Sequence, residues 1–148
     1  MANYCGFTRT NYFKTTDPEK LRDIVERIVW TDGDLSFFAE EKGAYGFGAY
    51  SSILGLRPAQ GIDNDPDDED LNTEDFDSEE VYAALQEILA PDDAIIITEI
   101  GYEKLRYLTA YATIITCDEI KYINLETTAL DVARELTGNL EFSTQMSY

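Results

Sequence analysis

The residues best suited to do chemistry in this sequence are carboxylates, and they are concentrated in one stretch. No lysine or arginine occurs between Gly61 and Tyr102. Within that stretch, five acids fall at ligand positions one, three, five, seven and twelve of an EF-hand calcium loop. They are Asp63, Asp65, Asp67, Glu69 and Glu74.

The EF-hand match fails where the geometry of such a loop is strictest. Asp68 stands where glycine makes the sharp turn, Asp70 stands where an apolar residue is expected, and Pro66 stiffens the middle. We therefore interpret residues 62–76 as an acidic, solvated and flexible loop, and we expect no cofactor. Weak binding of divalent cations by the carboxylate cluster is the alternative.

The composition argues against catalysis. The chain contains no histidine, which removes the commonest general base near neutral pH and the histidine-dependent nucleophilic triads. The acid pairs Asp92–Asp93 and Asp118–Glu119 lie in predicted turns, where aspartate is favoured for backbone reasons. We expect no catalytic residue and a non-enzymatic protein.

The formal charge gives the strongest indication about partners. Eleven basic residues against 30 acidic residues give a net charge of −19. Such a surface repels phosphate backbones, so we expect no direct binding of nucleic acid, whereas it speeds encounter with a basic protein. An acidic surface also keeps a protein in solution, and composition does not separate these two roles.

The sequence predicts a cytoplasmic location without membrane contact. No apolar run is long enough to cross a bilayer, and residues 1–6 lack the basic and apolar regions of a secretion signal. Cys5 and Cys117 are far apart in sequence, and we expect two small buried side chains in a reducing compartment.

The region from Ala94 to Leu125 is predicted to form the strands against which the rest of the chain packs. Its β-branched and aromatic residues favour strands, and Gly101 to Lys104 and Cys117 to Glu119 have the length and polarity of turns. We predict a meander of three antiparallel strands. Further strands are predicted at residues 3–14, 35–40 and 44–50, with residues 51–61 as a loop.

Three helices are predicted where a capping residue precedes apolar residues at helical spacing. The caps are Asp17, Asp77 or Ser78, and Thr127 or Thr128, and in the last helix Leu130, Ala133 and Leu136 are expected to point inward. This order indicates one α+β domain over residues 1–148, an antiparallel sheet with its helices on one face. We expect a ferredoxin-like core extended by the C-terminal three-strand meander and a final helix, with residues 139–148 as a loose tail.

Alternation in the central meander strand divides its side chains between two faces. If Leu108, Ala110, Ala112 and Ile114 face the helices, then Tyr107, Thr109, Tyr111 and Thr113 pave the opposite face. A tyrosine-rich face beside an acidic loop is typical of a protein-binding surface, although the 51–61 loop, the tail or a second copy in a homodimer could cover it. The predicted partner-binding residues are Asp67, Asp68, Glu69, Asp70, Glu74, Asp75, Tyr107 and Tyr111.

Two segments of the sequence resemble a known group of proteins. Ala2-Asn3-Tyr4 with Arg9-Thr10-Asn11-Tyr12-Phe13-Lys14, and Ile97 to Tyr107 followed by Ala110-Tyr111-Ala112, carry the resemblance. They resemble a family of small, acidic, largely uncharacterised proteins carried by phages, plasmids and other bacterial mobile elements. The family has no catalytic residues to transfer, so the resemblance implies a context rather than a mechanism.

Context and charge together lead to a functional hypothesis. We expect an accessory protein of a mobile element that binds a basic surface of a bacterial defence or DNA-processing protein, with the segment from Asp63 to Glu80 imitating phosphates. The alternative is a regulatory domain that senses a small ligand or a divalent cation.

Overall fold

The protein has an α+β fold, seen in a computed structural model that describes residues 5–31, 36–58, 76–103 and 107–144. The described residues form a six-stranded antiparallel sheet, a two-stranded ribbon and three helices. In chain order the elements are β1 (Cys5–Thr10), α1 (Pro18–Arg27), β2 (Ile28–Trp30), β3 (Ser36–Glu41), β4 (Ala44–Ala49), β5 (Ile53–Leu56), α2 (Ser78–Ile88), β6 (Ile95–Glu103), β7 (Tyr107–Ile115), β8 (Ile120–Asn124) and α3 (Leu125–Thr137).

The large sheet has the strand order β3-β4-β1-β6-β7-β8, and each neighbouring pair is antiparallel. β2 and β5 pair separately as an antiparallel ribbon. The prediction of a loop at residues 51–61 is therefore wrong for β5. The ribbon forms because α1 ends at Arg27, which leaves Ile28 free to pair with Leu56.

The helices begin and end where local hydrogen bonds allow. The carboxylates of Asp17 and Asp77 accept from the first-turn amides of α1 and α2, as predicted. α3 is capped by Asn124 rather than by Thr127 or Thr128. The Asn124 Oδ1 atom accepts from the amides of Glu126 and Thr127, so the helix starts directly after β8 without a loop.

The main core lies between one face of the large sheet and the helices α1 and α2. A T-shaped contact joins Phe13, which follows β1, to Phe47 of β4, with 6.5 Å between the ring centroids. Ile53 of the ribbon joins the same cluster, so β5 lies on the helical side of the sheet. The completely buried aliphatic side chains of this core are Leu21, Ile24, Val81, Leu85, Ile95, Ile97 and Ile115.

The connections around β7 differ from the prediction in two places. The predicted turn at Gly101 is wrong, because β6 continues through Glu103 and Gly101 pairs with Thr109. Cys117 lies between β7 and β8 and is exposed, which contradicts the expectation that it is buried. Its thiol is 3.4 Å from the carbonyl oxygen of Leu89. The side chain of Cys5 lies outside the described part of the chain.

The two faces of β7 are the reverse of the predicted arrangement. Thr113 is 1 % exposed and pairs with Ile97, a core residue. The side chains at every second position from Thr113 along β7 therefore face the helices. Thr109 and Tyr111 fall on this helical side by alternation, and Leu108 and Ala110 fall on the opposite side. The prediction failed because it assumed that small apolar residues, rather than threonine and tyrosine, pack under helices.

A buried carboxylate explains why polar residues occupy the helical side. Glu99 of β6 is 3 % exposed, and its Oε1 atom accepts a hydrogen bond from the Ile53 amide at 3.2 Å. The same oxygen lies 3.3 Å from the hydroxyl of Thr8, which donates to the carbonyl of Ser51 at 2.7 Å. These contacts attach the 51–53 segment, and with it β5, to the centre of the sheet.

Tyr82 of α2 lies within the electrostatic influence of this carboxylate. Burial raises the pKa of Tyr82, the nearby charge of Glu99 raises this pKa further, and hydrogen bonds to the side chains of Thr113 and Ser78 lower it in part. The net shift is upward, away from neutral pH, where a phenol is already protonated and can donate a hydrogen bond. The helical side of the sheet thus contains a polar cluster inside an apolar core.

Replacement of Glu99 tests the role of this cluster. We expect Glu99→Ala to lower the free energy of unfolding by about 1–3 kcal/mol, because the buried Ile53 amide loses its acceptor. Glu99→Gln keeps an oxygen at that position and should cost clearly less. Urea unfolding monitored by circular dichroism measures both, and equal losses for the two variants would contradict this role.

Candidate functional site

The predicted acidic site lies outside the described residues. That holds for the cation-ligand candidates and for the acidic partner-binding residues, which are Asp63, Asp65, Asp67, Asp68, Glu69, Asp70, Glu74 and Asp75. Among the residues that are described, no group of three or more histidine, cysteine, aspartate or glutamate side chains could hold a metal ion.

The two predicted partner-binding tyrosines both belong to β7. Tyr107 pairs with Glu103 at the start of the strand, and its side chain is outside the described part of the chain. Tyr111 pairs with Glu99 and Asn124, and its side chain is half-buried on the helical side. Tyr111 was predicted to bind a partner because it was expected on the face away from the helices, and that expectation is wrong.

The face of the sheet away from α1 and α2 carries an apolar surface that sequence reasoning missed. We call its side chains on β1, β6, β7 and β8 the open face. Ile96 and Ile100 belong to it, because they alternate with the buried residues Ile95, Ile97 and Glu99. The open face consists of Phe7, Arg9, Ile96, Thr98, Ile100, Tyr102, Leu108, Ala110, Ala112, Ile114, Lys121 and Ile123.

Several large apolar side chains of the open face are accessible to solvent. Leu108 is 70 % exposed, and Ile96, Ile100, Tyr102 and Ile123 are between 41 % and 49 % exposed. A single exposed apolar residue is normal, but a contiguous group of this kind marks an interaction surface. The open face is thus the strongest candidate site among the described residues.

The open face is also free of acids in a strongly acidic chain. None of its twelve side chains is a carboxylate, whereas the whole chain has 30 acidic residues. Its charged members are two cations, Arg9 and Lys121, and Lys121 lies 3.8 Å from the Glu119 carboxylate. Described acids such as Glu19, Glu79 and Glu87 project instead from the exposed sides of α1 and α2.

Two of the grooves formed by the described residues lie along the open face. The first, of about 520 Å³, lies over β1 and β6 between Phe7, Arg9 and Ile100. The second, of about 530 Å³, separates the sheet from the first turns of α3, and we call it the α3 groove. Its apolar lining is provided by Ile100, Tyr102, Leu108, Ala110, Leu125 and Ala129, with Glu126 among its other lining residues.

The packing of α3 differs from the prediction. The helix contacts β7 and β8 but has no buried residue, and Leu130 and Ala133 are only half-buried. Leu136, expected to point inward, is 81 % exposed. Because the helix starts directly at Asn124, its direction is set by the end of β8, and its apolar residues are left beside the open face.

None of the described helices is long and apolar enough to cross a membrane. The comparisons with known proteins add no family: no family model, no curated protein and no solved structure matches the chain. The function must therefore be argued from the open face itself.

Matched isoleucine substitutions on β6 test which face is buried. We expect Ile97→Thr to lower the free energy of unfolding by about 2–4 kcal/mol, because Ile97 is completely buried in the core. Ile100→Thr should change it by no more than about 0.5 kcal/mol, because Ile100 already contacts solvent. Urea titration of both variants measures the difference, and similar losses would mean that the open face is buried in the protein in solution.

Proposed function

We propose that this protein is a non-enzymatic accessory protein that binds a basic partner protein through the open face of its sheet. The observation that carries the proposal is the contrast between an apolar, acid-free face and a chain of net charge −19. Apolar area supplies the contact free energy of an interface, whereas a surrounding charge mainly selects the partner and speeds the encounter.

The charge distribution supports a basic partner in particular. Within the described residues there are four ion pairs, formed by Lys20, Arg27, Lys121 and Arg134 with nearby acids. Because the whole chain has 30 acidic residues and only 11 basic ones, acids outnumber the cations that could pair with them, and the field of the protein stays negative. A basic protein is attracted by this field and meets no carboxylate that must be desolvated on the open face itself.

The architecture and its context are part of the proposal. We infer a ferredoxin-like core, and the strand order β6-β1-β4-β3 with α1 and α2 on one face supports it. The resemblance to proteins of bacterial mobile elements suggests that the partner is a defence or DNA-processing protein. In that case the acidic segment from Asp63 to Glu80 imitates the phosphates that such a partner normally binds.

A second function is favoured by one observation, the α3 groove. Its volume of about 530 Å³ and its mainly apolar lining suit a small apolar ligand. A ligand of this kind would make the protein a sensing domain rather than a protein-binding one. Salt separates the two functions, since screening weakens attraction to a basic protein and leaves an uncharged ligand nearly unaffected.

Two substitutions that add the same charge on opposite sides of the molecule test the proposal. Leu108→Asp places a carboxylate on the open face, and Ala83→Asp places one on the exposed side of α2. We expect tagged wild-type protein and Ala83→Asp to capture the same basic proteins from bacterial lysate, and Leu108→Asp to capture about tenfold less or none. Mass spectrometry identifies the captured proteins, which should elute as salt is raised.

Capture of the same proteins by Leu108→Asp would contradict docking through the open face. The imitation of phosphates has its own test, the combined change of Asp67, Asp68 and Asp70 to Asn and of Glu69 to Gln. If these acids imitate phosphates, the variant loses a nucleic-acid-binding partner and keeps its free energy of unfolding. Full retention of that partner would contradict the imitation and leave docking through the open face intact.

A further inference from the structure

α3 carries a continuous row of exposed apolar side chains that no described residue covers. Leu125, Ala129, Val132 and Leu136 follow one another at intervals of four, three and four residues, which places them on one side of the helix. Leu125 is 61 % exposed and Leu136 is 81 % exposed. We call this row the α3 stripe.

The α3 stripe continues the wall of the α3 groove. Leu125 and Ala129, its first two members, line the groove opposite Ile100 and Leu108 of the sheet. Val132 and Leu136 extend the same wall along the helix. Because the row of residues follows helical spacing, the shape that complements it over its whole length is another α-helix.

The charges beside the stripe select the kind of helix. By helical geometry Glu135 flanks the stripe on one side and Glu126 flanks it on the other. Arg134 is the single cation of α3, and it lies 3.5 Å from Asp131 and donates to the carbonyl of Phe142. The rim of the groove is therefore acidic.

We propose that the α3 groove and the α3 stripe bind an amphipathic helix of a partner protein, whose apolar residues repeat at three- and four-residue spacing and are flanked by lysine or arginine. This inference rests on the proposed function and names the partner's docking element. A second copy of α3 fits less well, because it would bring two helices with three acids and one arginine each against one another. An anionic membrane surface is repelled by the same acids.

The length of α3 sets the size of a suitable probe. Its 13 residues span about 20 Å, so a synthetic peptide of about four helical turns covers the whole stripe. We would use one peptide with leucines at three- and four-residue spacing and lysine flanks. The two comparison peptides are the same composition in scrambled order and the same leucine pattern with glutamate flanks.

Calorimetric titration should show binding of the lysine-flanked peptide to wild-type protein and about tenfold weaker binding of both comparison peptides. Leu136→Asp should weaken the lysine-flanked peptide about tenfold, because it adds a charge to the stripe. Combined Glu126→Gln and Glu135→Gln should weaken this peptide and reduce the salt dependence of its affinity. The matched pair Glu19→Gln and Glu26→Gln on α1 removes the same charge and should leave binding unchanged.

Three results would overturn the inference. If the scrambled peptide binds equally well, or if Leu136→Asp leaves binding unchanged, then the lysine-flanked peptide binds only by general attraction of opposite charges. Sedimentation that shows a dimer of wild-type protein and a monomer of Leu136→Asp would assign the stripe to a second copy instead. The proposed function is tested by a different result. Normal capture of partner proteins by Leu108→Asp would contradict the proposed function. If Leu108→Asp loses capture while Leu136→Asp retains capture, the proposed function stands and only the inference about the α3 stripe fails.

Discussion

The inward position of Glu99 is the constraint on which the two-sided character of the sheet depends. A carboxylate nearly excluded from water must have polar partners, and the Ile53 amide supplies one, with Thr8 nearby. Once Glu99 points toward the helices, alternation along β6 directs Ile96, Ile100 and Tyr102 to the other side. Antiparallel pairing transmits the same choice to β7, where Thr113 is buried and Leu108 is exposed.

This arrangement separates the two properties that a selective protein-binding surface needs. The exposed sides of α1 and α2 carry acids, and the open face carries apolar groups without any acid. In the proposed interaction, long-range attraction comes from the chain as a whole, while close contact takes place where no carboxylate has to lose water. α3 adds apolar side chains on the other side of the α3 groove and acids at the edge of that groove. Apolar contact area and negative charge therefore occur together at the α3 groove.

Local signals in the sequence predicted the elements better than their orientation. Asp17 and Asp77 cap helices as expected, because capping depends on a few neighbouring residues. The faces of β7 were predicted wrongly, because their orientation depends on Glu99 and Ile53, which are distant in sequence. β5 was missed for a similar reason: its partner β2 is a three-residue strand, too short to show a period. The sequence from Ile95 to Gly101 contains enough information to find the open face. If Glu99 is assigned to the core, alternation along the strand places Ile96 and Ile100 on the opposite, exposed face.

The measurement that tests the central claim most directly is methyl NMR of isoleucine-labelled protein titrated with a captured basic partner. Isoleucines lie on both sides of the sheet, with Ile96, Ile100 and Ile123 exposed on the open face and Ile24, Ile53 and Ile88 in the helical layer. Docking through the open face predicts that the first three methyl signals shift or broaden while the other three change little. Changes confined to Ile24, Ile53 and Ile88 would place the partner on the helical side and contradict the account.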